Sequence, residues 1–95
     1  MSAEDEFNKA LRYLDFGKFE KGEICLINAI KLGEVENDEL TLIQACCCYG
    51  DYLCSAGRKM EAKPFLNRVV SFKSDTDVLA YEINRAKDLM LELKD

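Results

Sequence analysis

The chain has 95 residues, 48% of them hydrophobic and 33% charged, with a formal net charge of −5. That length predicts one domain spanning residues 1–95, and that apolar share excludes a disordered chain. With no histidine, and with only one proline and five glycines, the usual general base and metal ligand are missing and a loop-rich β-sandwich is disfavoured.

In chain order, Ser2 followed by Asp5 predicts a helix N-cap with a reinforcing acid. Phe7, Ala10, Leu11 and Leu14 then recur at helical spacing, and Gly17 falls where a left-handed C-cap is wanted. A second helix is expected from about Phe19 to Leu32, with Leu26, Ile27 and Ile30 on its apolar face and Gly33 stopping it. Asn37 or Asp38 can cap a third helix, expected from about Glu39 to Ala56 and ended by Gly57. That helix is apolar almost all round: Leu40, Leu42, Ile43, Ala45, Cys46, Cys47, Cys48, Tyr49, Tyr52, Leu53 and Cys54. It should be buried on more than one side. A fourth helix is expected over about Lys59–Phe72, with Pro64 tolerated near its start. Ser74-Asp75-Thr76-Asp77 repeats the capping pattern ahead of a fifth helix, whose stripe is Leu79, Ile83, Ala86, Met90 and Leu93. The predicted fold class is all-α.

A shift of 40 residues superimposes Ala10 on Gly50, Leu14 on Cys54, Gly17 on Gly57 and Gly22 on Ala62. It also places Leu26 on Leu66, Ala29 on Val69 and Ile30 on Val70. Small residues recur where helices would cross and large ones where a core would fill, which is the signature of a helical solenoid. Gly22, inside a helix, costs about 1 kcal/mol against alanine, and a close backbone contact near Ala10 is its expected compensation.

The stretch Gly57-Arg58-Lys59-Met60-Glu61-Ala62-Lys63-Pro64-Phe65-Leu66-Asn67-Arg68-Val69-Val70 resembles the tetratricopeptide repeat of the kinesin-light-chain type. Glu61-Ala62, Pro64 and Arg68 fall on that family's pattern, with Phe65 standing for its leucine. Gly17-Lys18-Phe19-Glu20-Lys21-Gly22 is a weaker copy without the proline. The resemblance implies a right-handed solenoid of five helices: repeat one at about 3–33, repeat two at about 38–72, and a capping helix at about 75–94. It also implies a concave groove that receives a peptide. By position, that groove would be lined by Phe7, Leu11 and Leu14, by Gln44, Asp51 and Ser55, and by Asn84 and Lys87. The lysine and asparagine clamp that some members use for a terminal carboxylate is absent from those positions.

The remaining chemistry is sparse. Cys25, Cys47 and Cys54 could supply soft metal ligands, but no Cys-x-x-Cys pair accompanies them, and cysteine more often serves as a small buried hydrophobe. Glu34, Glu36, Asp38 and Glu39 lack the spacing of a calcium loop. Arg58, Lys59, Lys63, Arg68 and Lys73, interrupted by Glu61, form the only basic footprint, and a solvated helix face accounts for it better than nucleic acid. Met1 to Glu6 lack the features of a signal peptide, and no apolar run approaches membrane-spanning length. Consecutive cysteines on a helix cannot staple loops, so a reduced, cytoplasmic protein is expected.

The expected function is therefore non-catalytic binding of a protein or peptide, with no cofactor, nucleic acid or membrane, and with a possible weak homodimer through an end helix. The alternative is an acidic inhibitor or immunity-type protein masking a basic partner. Residues 1–41 carry ten acids and five bases, whereas residues 42–95 carry eight of each.

Overall fold

In a computed structural model, residues 2–73 and 77–93 are described, and among them there are five α-helices and no strand. They are α1 (Ala3–Asp15), α2 (Phe19–Glu36), α3 (Glu39–Ser55), α4 (Lys59–Val70) and α5 (Ala80–Glu92). The chain divides into two compact units, one running up to Ala45 and the other from Cys46 on, with α3 contributing to both.

In the first unit α1 packs on α2. The capping box at Ser2 forms: Asp5 N donates to Ser2 Oγ at 3.1 Å, and Ser2 N donates to Asp5 Oδ2 at 3.5 Å. At the next free donor, Ala3 N reaches the Glu36 Oε1 at 3.0 Å, so the far end of α2 closes onto the start of α1. The hairpin turn satisfies the end of α1 through two backbone bonds, Gly17 N to Leu14 O at 3.1 Å and Lys18 N to Tyr13 O at 2.8 Å, with Gly17 at φ 75°. This is a Schellman ending, which needs a left-handed residue.

The buried face of α1 is Ala3, Glu6 and Ala10, not the stripe of Phe7, Leu11 and Leu14 expected from periodicity. Phe7 and Leu14 are half-buried and Leu11 is 38% exposed. Small residues let α2 approach closely here, and the larger ones flank the contact. Gly22 provides the matching gap: a Cβ there would lie 2.8 Å from Leu14 Cδ2 and 3.5 Å from Ala10 O. Glu6 enters the contact because it is partnered. Asn28 Nδ2 donates to Glu6 Oε1 at 3.2 Å, and Lys9 Nζ forms an ion pair with Oε2 at 3.0 Å. The Lys9 ammonium holds the Glu6 carboxyl below its usual range, against the opposing effect of burial.

Gly33 does not stop α2. The helix continues to Glu36, and Gly33 is buried, where a Cβ would come within 3.0 Å of Leu42 Cβ and 3.2 Å of Leu42 Cα. The stop is Asn37, in the left-handed region at φ 57°, with Asp38 N donating to Gly33 O at 2.9 Å. Asp38 then caps α3, its Oδ1 accepting from Thr41 N at 3.1 Å.

In the second unit the rest of α3 carries buried Cys46, Cys47, Tyr49, Gly50 and Leu53. Over its whole length α3 buries more than half its circumference, from Thr41, Leu42, Ile43 and Ala45 onward. Leu66 of α4 sits over Gly50, its Cγ 2.7 Å from where a Cβ would be, and Phe65 meets the Tyr49 ring edge-on at 4.7 Å. Ala62 is buried as well, but Leu66 is the residue that fills the gap at Gly50. The α3–α4 turn repeats the first: Gly57 N to Cys54 O at 3.2 Å, Arg58 N to Leu53 O at 2.8 Å, and Gly57 at φ 78°. Neither turn glycine has a neighbour within 4 Å of an added Cβ, so only backbone strain opposes substitution. Gly17→Ala and Gly57→Ala should each cost about 1 kcal/mol, and by the same amount, in urea melts. A cost at only one of them would mean the turns are not equivalent.

Helix α4 ends at Val70, two residues before the expected Phe72, and α5 packs on it. Of the proposed cap before α5, Ser74, Asp75 and Thr76 lie outside the described residues. The helix opens after Asp77, whose carbonyl accepts from Ala80 N at 3.0 Å. It buries Ala86 and Leu89, flanked by buried Leu79 and Leu93. Ile83 and Met90 of the expected stripe are half-buried.

Candidate functional site

Within the second unit, α3 and α5 meet along a polar seam. Cys47 Sγ donates to the Glu82 carbonyl at 3.6 Å. One turn further along both helices, Asp51 receives Arg85: Nη2 lies 3.1 Å from Oδ1 and Nε 3.4 Å from Oδ2. Because both contacts advance together, the two helices run in the same direction. The pair is bidentate, but its side chains are 38% and 40% exposed, so its net stabilisation is only about 0–1 kcal/mol. Its role is to set how α5 lies on α3, leaving an exposed polar face beside it.

Two of the expected groove residues belong to that face. Asp51 is at its centre, and Ser55 follows it one turn on, exposed. Asn84 is exposed on α5 next to Arg85. Lys87 lies elsewhere, lining a hollow with Val70, Met90 and Leu91 on the α4 side of its helix. Phe7, Leu11 and Gln44 belong to the first unit, where Phe7 and Gln44 are half-buried. Arg85 was missed from sequence. Its signal was Asp51, the only charged residue of α3 after Glu39, which requires a cation once half-buried.

The five cysteines are free thiols, with Cys25, Cys46 and Cys47 buried. Burial, reinforced by the carboxylates of Glu82 and Asp51, pushes Cys47 up to about 12. Burial and Asp51 push Cys48 up to about 11. Burial likewise raises Cys25 and Cys54. Since the thiolate is the reactive form, alkylation of Cys47 and Cys48 by iodoacetamide at pH 8 should run about 100-fold slower in the native protein than in urea. Peptide mass spectrometry reads this directly, and rapid native labelling at Cys48 would refute it.

Among the described residues no group of three or more cysteine, aspartate or glutamate side chains is gathered to hold a metal ion. The basic footprint on α4 is partly neutralised, because Arg58 Nε and Nη2 hold Glu61 at 2.8 and 2.9 Å. A shallow hollow lies along the first turn, lined by Gly17, Lys18, Phe19, Glu20 and Lys21. No helix among the described residues is long and apolar enough to cross a membrane. Comparison with protein-family models, with curated proteins and with solved structures gives no match for this chain.

Proposed function

We propose that this chain is a non-catalytic protein- or peptide-binding module of tetratricopeptide-like design, working as an adaptor in the reducing cytoplasm. In this reading α1/α2 and α3/α4 are successive helix pairs of a right-handed solenoid, and α5 takes the position of a capping helix. The observation that carries the reading is the recurrence of one turn at an interval of 40 residues. Gly17 and Gly57 share the left-handed conformation, and the two backbone bonds that close each turn match donor for donor and acceptor for acceptor. Helix starts at Phe19 and Lys59 keep the same interval. Repeats of this kind present first helices side by side as a recognition surface, here the face of Asp51 and Ser55.

Peptides selected from a random display library against the purified protein provide the test. The bound peptide should shift the backbone amides of Asp51, Ser55, Asn84 and Arg85, and Ser55→Arg should weaken it about tenfold without changing the melting temperature. Failure to select any peptide, or selection of peptides that leave those amides unmoved, rejects the reading. An association rate that collapses between low and physiological salt would instead favour an acidic inhibitor, because steering between opposite charges is screened beyond about 8–10 Å.

A further inference from the structure

The outer side of α2 carries a pattern that the packing of α1 on α2 does not use. Glu20, Ile24, Ile27, Lys31 and Val35 recur at intervals of four, three, four and four residues, so they share one face of the helix. The opposite face holds the buried residues Gly22, Cys25, Leu26, Ala29, Ile30 and Gly33. Ile24 is 60% exposed and Val35 79%, Ile27 is half-buried, and Glu20 and Lys31 are exposed. Forty residues on, the corresponding positions hold Met60, Pro64, Asn67 and Ser71, so a recurring helix pair does not require this pattern.

The face is complementary to itself. Neither Glu20 nor Lys31 has an ion-pair partner among the described residues. The helix holds them about 16 Å apart along its axis, too far to pair with each other. An antiparallel second α2, centred at the level of Cys25 and Leu26, sets Glu20 of each copy opposite Lys31 of the other. The same register sets Ile24 of each copy opposite Ile27 of the other. The remaining charges of this side lie off the line of contact. Glu23 and Glu34 are on one flank, about 80–100° from Ile24, where water screens them. On the other flank Lys21 is drawn back over the Tyr13 ring of α1, 5.9 Å from its centroid. A face that matches its own two-fold image forms a closed pair.

We propose that α2, rather than an end helix, is the contact of a two-fold symmetric homodimer, packed antiparallel on α2 of a second copy through Ile24, Ile27 and two Glu20–Lys31 pairs. One helix pair covers less than the ~1,200 Å² of a standard interface, so the dimer is weak and dissociates in the micromolar range. The contact is independent of the Asp51–Ser55 face, so its failure and that of the adaptor reading are separable. Sedimentation equilibrium of the full chain from about 10 µM to about 1 mM tests it. Wild type should pass from monomer to dimer across that range. Ile24→Glu should weaken the dimer at least tenfold without lowering the melting temperature of the monomer. Glu20→Lys and Lys31→Glu should each weaken it about tenfold. The two single variants mixed together, and the double variant alone, should regain wild-type affinity, because each combination restores opposite charges. A monomer throughout the range overturns the proposal, as does a dimer that Ile24→Glu leaves intact. A dimer indifferent to the charge swaps, or one that neither combination rescues, overturns it too, since Glu20 and Lys31 then do not face each other.

Discussion

Gly50→Ala should destabilise the protein by about 2 kcal/mol, although alanine is the better helix former by about 1 kcal/mol. The added Cβ would stand 2.7 Å from Leu66 Cγ. Leu66 is fully buried, so its side chain cannot swing into solvent, and α3 and α4 must separate. For a domain of this size that corresponds to a fall in melting temperature of roughly 10 °C. Gly22→Ala is the control. Its nearest neighbour is Leu14 Cδ2 at 2.8 Å, on a half-buried side chain that can rotate outward, so the helix-propensity gain should leave stability within about 0.5 kcal/mol of wild type. Combining Gly50→Ala with Leu66→Ala should cost less than the sum of the two single changes, by about 1 kcal/mol or more. Additive costs would mean that the two residues are not in contact.

Glu6→Lys is the second large effect, expected at about 3 kcal/mol or more. The wild-type carboxylate is 3% exposed and is held by Asn28 and Lys9. The substitution buries a cation beside Lys9 and leaves Asn28 Nδ2 without its acceptor. The pH dependence follows from the direction of the shift. The Glu6 carboxyl ionises below its ordinary value of 4.5 in the folded chain, so the unfolded chain binds that proton at higher pH. Its stabilisation is complete above that value and is lost as pH falls through the folded one. Glu6→Gln should therefore be less stable than wild type at pH 7, and the two should converge towards pH 3. Urea midpoints at both pH values measure this. A difference that stayed constant with pH would show that Glu6 acts through shape rather than charge.

Much of the helical framework was legible because helix ends are local. Ser2 with Asp5, Asp38 before Thr41, and the glycines at 17 and 57 each act within about five residues, so sequence alone locates them. The 40-residue interval was legible for the same reason, being carried by those turns and by the small and large residues between them. Gly33 was misread because a glycine after an apolar run is the same signal whether it ends a helix or admits a neighbour. Leu42, nine residues on in sequence and on another helix, decides between the two. The buried face of α1 was misread because periodicity ranks residues by size, which hides Ala3 and a partnered Glu6 behind Phe7 and Leu11.

The candidate site was less legible than the fold. Asp51, Ser55 and Asn84 were placed by resemblance, and Asp51 does hold the seam between α3 and α5. Its partner Arg85 lay unnoticed between Asn84 and Lys87, and Lys87 belongs to the opposite flank of the helix. A turn of 100° per residue makes neighbours in sequence face different partners, and only packing selects among them. By itself, then, the sequence determined that the chain is helical, where most helices begin and end, and that one turn recurs. The tertiary structure decided which glycines are turns and which are contacts, which carboxylate is buried, and which apolar side chains of α5 are buried and which exposed. Those outcomes depend on the side chains a second helix brings within a few ångströms, and no window along the chain contains them.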